Sequence, residues 1–191
     1  MLIMTLLFAS RTPAIRILGG NNVVANNEDM VQMGFDSVLM NNDDTQSIGV
    51  NNHITNSTDV STLGTELQVD SCSGSTIVGV NITTRSSSRA VLVGTGLTSE
   101  GHDGTVILGT HNAYAPHASL IVGNGDSSRP QNAIEVYQDR VFIGGMDVVA
   151  ELSVLRQRIE ELNLFQYEMS IRGFCGATQN SCSDIQKAYR A

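Results

Sequence analysis

Four histidines and a scatter of carboxylates are the side chains in this chain best suited to chemistry. His53, His102, His111 and His117 all fall in polar connecting stretches. A histidine base needs a positioned partner and a cleft, so the four read as solvent-exposed loop residues. Asp103 and His117 are one repeat apart in a chain that repeats every fourteen to fifteen residues, which would stack them about 5 Å apart. A metal or ion site there, with His111 as a third ligand, lacks the spacing of familiar ligand sets; a surface ion pair is expected instead. Glu100, Asp103, Asp126, Glu135 and Asp139 have the chemistry of a sugar-hydrolysing pair. No spacing brings two of them together, however, and Tyr114 and Tyr137 are the aromatics on hand for sugar stacking. Gly94-Thr95-Gly96 and Gly123-Asn124-Gly125 lack the following Gly-Lys-Ser/Thr of a phosphate loop. Asn56-Ser57-Thr58 and Asn81-Ile82-Thr83 match glycosylation sequons, which arise readily by chance in an Asn/Thr-rich chain. Cys72, Cys175 and Cys182 are odd in number and imply no disulfide framework, although Cys175 and Cys182 are free to pair within or between chains. The expectation is no enzyme, with no catalytic residue, no cofactor and no metal.

Composition narrows the elements that hold these residues. The 191 residues include no tryptophan and only 5% aromatics, while Gly, Asn, Ser and Thr abound. A narrow, repetitive core suits that inventory better than a wide one. The net charge of −8 opposes the phosphate contacts of nucleic-acid binding. Residues 1–13 form an N-terminal apolar segment, for docking or as a signal. No Lys or Arg precedes Leu2–Ala9, and Arg11 follows, flanks that fit a secretory signal poorly. No stretch approaches the roughly 20 apolar residues of a spanning helix, so no membrane insertion is expected.

The organising feature is a period. Gly19, Gly34, Gly49, Gly64, Gly79, Gly94 and Gly109 are fifteen residues apart, and Gly123 follows after fourteen. Each follows an aliphatic residue or methionine: Leu18, Met33, Ile48, Leu63, Val78, Val93, Leu108 and Val122. One place further back, Ile17, Ile77, Leu92, Ile107 and Ile121 are apolar, whereas Gln32, Ser47 and Thr62 are polar. Such a period is too short for helix pairs or propeller blades and suits one turn of a β-solenoid. We expect an all-β parallel β-roll of about eight coils over residues 14–145, with the residue before each glycine pointing inward. The glycine itself would permit a bend or a close backbone approach. One or two inward aliphatics per turn, each worth about 1.5–3 kcal/mol, hardly offset about 1–2 kcal/mol of backbone entropy per residue. An obligate oligomer follows from that balance.

From Met146 the period becomes helical. Val148, Leu152, Leu155, Ile159, Leu162 and Met169 alternate by fours and threes, with Gln166 in the remaining seam position. This predicts a coiled-coil stalk over 146–170, ended by Gly173 and Gly176, with 171–191 as a C-terminal tail. An amphipathic helix packed on its own domain is the alternative. Mixed Leu and Ile in the seam leaves dimer and trimer open.

The repeat resembles the left-handed β-roll head of YadA-like trimeric adhesins. Ser119 to Gly125, Gln131 to Val136 and Arg140 to Gly144 resemble the segment by which such heads, including those of phage fibre-like proteins, pass into a trimeric stalk. The likeness covers about residues 14–165; Ser, Thr and Asn replace the alanine-rich pattern of bacterial heads, so their collagen-binding surfaces do not carry over. It implies a homotrimer. Trimeric autotransporters end in a membrane β-barrel, which does not follow Ala191. The expected setting is therefore the surface of a virion or phage-like particle. There the trimer serves as a structural fibre or head docked to other structural proteins through the N-terminal segment or the C-terminal tail. The alternative is a cell-surface or secreted adhesin that binds a host receptor or glycan. A hexapeptide-repeat acyltransferase, also a trimeric left-handed β-helix, would need an aliphatic residue every six positions, against one aliphatic-Gly pair per fifteen here.

Overall fold

A computed structural model of the chain describes residues 6–8 and 14–177. The chain divides after Met146 into a strand-built unit and a helical one.

The strand-built unit is a parallel β-solenoid. A wide sheet takes one five-residue strand from most turns, as in Ser61–Thr65, Thr76–Val80 and Val91–Thr95. A narrow sheet takes three-residue strands such as Gln68–Asp70 and Thr83–Arg85. Successive wide strands pair in a register that sets Gly64 beside Gly79 and Gly79 beside Gly94. Single bridges linking Asp43, Thr58, Ser73, Ser88 and Asp103 hold the third side together. Leu6–Phe8, within the apolar N-terminal segment, adds a first strand to the narrow sheet by pairing with Val23–Ala25. The parallel stack makes about seven turns rather than eight. Gly123 lies in the wide strand Leu120–Asn124, but no narrow strand follows Thr98–Glu100 among the described residues.

The glycine column is a contact between backbones. A Cβ on Gly34, Gly49, Gly64 or Gly79 would lie 1.6–1.8 Å from the carbonyl oxygen of the next glycine in the column, a separation no side chain tolerates. The corners need left-handed backbone, which Asn and Asp accept most readily among residues with a side chain. Asn21, Asn26 and Asp29 take φ of 57°, 54° and 40° in the first full turn. The same corners later hold Glu66, Ser86 and Arg89.

Each turn sends five residues inward, more than expected. Leu67, Val69, Cys72, Ser75 and Ile77 fill one turn, all buried. Earlier turns use polar side chains in the same places. Asn42, for example, donates from Nδ2 to the Ile54 carbonyl at 2.9 Å and accepts the Ser57 N–H at 3.0 Å. Buried amides thus tie one rung to the next, as buried polar groups must be tied. With five inward residues and these ladders, the single roll is better filled than one or two aliphatics per turn would allow.

The stack closes differently on its two sheets. The wide sheet reverses: Asn132–Val136 pairs antiparallel with Leu120–Asn124, and Val141–Ile143 with Asn132–Val136. The narrow sheet ends on side chains. Asn112 occupies the hydrogen-bonding positions beyond Thr98, and Asn132 those beyond Ala113.

The helical unit is one helix, Val148–Ala177. Asp147 caps it by accepting the Ala150 N–H at 3.0 Å, and Glu151 lies in its first turn, where the dipole favours an acid. The helix runs through Gly173 and Gly176 instead of ending there. An isolated glycine costs a helix only about 1 kcal/mol against alanine, too little to stop it. Residues 178–191, most of the expected tail, lie outside the described residues.

Candidate interaction face

The residue before each glycine points outward, contrary to expectation. Leu18 is 64% exposed and Leu63 51%; Met33, Ile48, Val93 and Leu108 are also exposed, and Val78 and Val122 are half-buried. The inward residue is the one before it, whether apolar (Ile77, Leu92, Ile107, Ile121) or polar (Gln32, Ser47, Thr62), and all seven are buried. The reason is the alternation of strand side chains between the two faces of a sheet: the tight glycine contact fixes one place in the pleat, and its neighbour falls outside.

The outward column forms part of an apolar wall. Phe35, Val50, Val80 and Val91 lie exposed on the same face of the wide sheet. The antiparallel strands prolong the column, since Val122 pairs with Ile134 and Ile134 with Ile143. An apolar strip spanning every wide strand from Leu18 to Ile143 is what a partner surface provides, because large contiguous patches are rare on free-standing proteins.

The helix carries a second such strip. Leu152, Leu155, Ile159, Leu162 and Met169 are all half or more exposed, and Val148 opens the series. They line one side at seam spacing. Nothing among the described residues of the helical unit covers them.

The residues considered for chemistry disperse. His53 and His117 are exposed and His111 half-buried, its ring lying over Gly96, where a Cβ would fall within 2.2 Å of it. His102, expected in solvent, is buried. The Glu100 N–H donates to its Nδ1 at 3.2 Å, so Nε2 carries the proton and donates to the Ala115 carbonyl at 3.1 Å. That makes His102 a packing residue of the closing turn, set edge-on against Tyr114. Asp103 does not pair with His117; Arg89 and Ser88 hold it instead. Arg89 above all, then Ser88, keeps its carboxyl below the usual range. Asp126 is likewise lowered, by the hydroxyl and N–H of Ser128 and by the Arg129 N–H. Glu100 lies on the last narrow strand. Glu135 and Asp139 do come together, lining one open pocket with Tyr137, a meeting that no spacing foretold. Among the described residues no group of three or more His, Cys, Asp or Glu is placed to hold a metal, and no helix is long and apolar enough to cross a membrane.

Asn56 and Asn81, the sequon asparagines, stand at exposed left-handed corners. Cys72 is buried, with Sγ 3.3 Å from the Asp70 carbonyl. Cys175 falls within the helix, and Cys182 lies outside the described residues. Sequence reasoning missed Asn112 and Asn132 as closing residues. Asn112 takes the inward place of Leu67, Ile82 and Leu97, but Asn22, Ser37 and Asn52 hold that place in earlier turns, so its residue type alone gave no sign.

Comparison of the chain with protein-family models, with curated proteins and with solved structures finds no match.

Proposed function

We propose that the chain is a non-enzymatic structural protein that assembles as a homotrimer, with the apolar walls of the three solenoids buried against neighbouring copies and the three helices joined as a coiled-coil stalk. The single observation carrying this reading is the outward column from Leu18 to Ile143. Half-exposed Leu, Ile and Val each stand to gain about 1 kcal/mol on burial, and the column is repeated at every rung. The helix supports the same reading, because a strip with seam spacing is stable only against another apolar strip. A stack of identical rungs and a helix seam in one chain both suit identical copies side by side and parallel.

Three copies rather than two, and a left-handed roll, are proposed on the resemblance to YadA-like heads. So is the setting, the surface of a virion or phage-like particle, with residues 1–13 or 171–191 docking to its structural proteins. In that setting the work is mechanical. The solenoid is a stiff spacer or head displaying polar corners, and the stalk sets stoichiometry.

Sedimentation equilibrium tests the assembly. The full chain should weigh three times its 20.4 kDa. Paired Leu63→Asp and Val93→Asp changes on the wall, joined to Ile159→Asp on the helix, should give a monomer that keeps its β-sheet circular dichroism. A wild-type chain that stays monomeric at micromolar concentration overturns the proposal.

A further inference from the structure

The wide sheet outruns the rest of the solenoid. Its strands continue through Asn132–Val136 and Val141–Ile143, whereas the narrow sheet stops at Thr98–Glu100 and the bridges of the third side at Asp103. The register places Ile121 opposite Glu135 and Glu135 opposite Phe142. Glu135 and Phe142 therefore share the inward side of the sheet with Ile121, which is fully buried. Past the last rung that inward side is only half-buried among the described residues. It opens as a pocket of about 480 Å³ whose lining includes Pro116, Glu135, Tyr137, Asp139, Arg140 and Phe142.

The shelf is preorganised. Asn132 Nδ2 donates to Glu135 Oε1 at 2.9 Å, and the Tyr137 hydroxyl donates to Oε2 at 2.8 Å. Both donors are neutral, so the carboxylate is oriented by them without being neutralised. An ionised carboxylate offers about four acceptor sites, which leaves each oxygen able to accept again. Burial first, and then the Glu135 bond, raise the Tyr137 phenol, keeping it a donor. Tyr137 and Phe142 meet edge to face with centroids 5.8 Å apart, a rigid apolar floor. At the rim, Arg140 Nε donates to Asp139 Oδ1 at 3.2 Å, so a donor and an acceptor of opposite charge stand side by side.

We propose that this shelf binds a saccharide. The Glu135 oxygens would accept from neighbouring hydroxyls, and the Tyr137–Phe142 floor would take the C–H face of the ring. Arg140 and Asp139 would offer a donor and an acceptor to a further hydroxyl. The polar lining holds two carboxylates, one guanidinium, the His117 imidazole and the Gln138 amide, a set with no cationic excess to select phosphate or other anions over neutral hydroxyls. This site is independent of the assembly reading, because it lies on the inward side of strands whose outward side carries Ile134 and Ile143.

Saturation-transfer NMR on the full chain tests it, with lactose, maltotriose, chitotriose and 3′-sialyllactose as separate probes at millimolar concentration and choline as an organic-cation control. At least one neutral saccharide should show transfer. Glu135→Gln should weaken it about tenfold or more, as loss of a charge-assisted hydrogen bond does. Asp139→Asn at the exposed rim, which spares the Glu135 bonds, should weaken it severalfold. Sedimentation should match wild type in both variants, and thermal melting should match it in Asp139→Asn. Transfer with none of the saccharides, binding unchanged in both variants, or binding of choline alone would each overturn the proposal.

Discussion

The side-chain amide of Asn112 lies against the backbone of Thr98 as a peptide of the next strand would. Its Oδ1 accepts the Thr98 N–H at 2.8 Å, and its Nδ2 donates to the Thr98 carbonyl at 2.9 Å. Asn132 repeats the device on Ala113, at 2.8 and 3.0 Å. An open strand edge invites pairing with other chains; the amide closes both backbone groups of Thr98, and His102 Nδ1 takes the Glu100 N–H of the same strand.

Replacing Asn112 with alanine should therefore cost about 1–3 kcal/mol, since it strips two partners from backbone groups at the edge. The urea midpoint should fall, and amide hydrogen exchange at Thr98 should accelerate more than at Thr83, which lies one rung inside. Uniform acceleration across both rungs would argue that Asn112 matters for packing alone.

Two glycines separate close approach from backbone freedom. Gly64→Ala would set a Cβ 1.8 Å from the Gly79 oxygen and should cost more than about 4 kcal/mol, in the range that unfolds small proteins. Gly101 has φ +64°, and a methyl group on it would meet nothing within 4 Å. Alanine there should cost only the left-handed penalty of about 1–2 kcal/mol. Thermal melts of the two variants side by side will show the difference.

Gln32 is the weak point of the interior. It is fully buried, and neither its amide nitrogen nor its amide oxygen has a partner among the described residues, while Ile77, Leu92, Ile107 and Ile121 hold the equivalent place in later turns. Gln32→Ile should stabilise the solenoid by about 1–3 kcal/mol through removal of an unpaired polar group. A lower denaturant midpoint would show that the amide is satisfied in solution.

Acid should act on Asp103 and Asp44 with opposite signs. The folded pKa of Asp103 is lowered, chiefly by Arg89, so its contribution is complete above the ordinary carboxylate value near ~3.9 and disappears as pH falls through the lower folded value. Wild type should exceed Asp103→Asn in melting temperature at pH 7, and the two should converge below about pH 3. Asp44 is raised, first by desolvation and then by Asp43, Asp59 and Asp29. Its ionisation opposes folding, so Asp44→Asn should melt higher at neutral pH, with the gain shrinking in acid and in added salt.

The period is plain in the amino-acid order because backbone contact at Gly34, Gly49 and Gly64 permits no other residue. The facing of the strands is not. Core and partner-facing walls both select apolar side chains. The column from Leu18 to Val122 is unbroken in its apolarity, whereas the true interior column passes through Gln32, Ser47 and Thr62. The more regular column therefore reads as the core. Corner asparagines such as Asn21 and Asn51 announce their turns; Glu66 and Arg89, equally left-handed, do not, because neighbouring rungs impose that backbone on them. The shelf at Glu135 depends on strand reversal after Asn124, which brings together residues that no local pattern links.

Because the glycines must meet carbonyl to α-carbon at every level, the length of the rod is a quantised property. Excising residues 61–75 would join Val60 to Thr76, restore the glycine register through Gly49 and Gly79, and shorten the stack by one rise of about 4.8 Å. A cut that removes anything but whole turns would strand the column. Variation in reach between otherwise alike molecules would thus come in whole turns, like links removed from a watch strap, with the closing amides and the helix left untouched at the end.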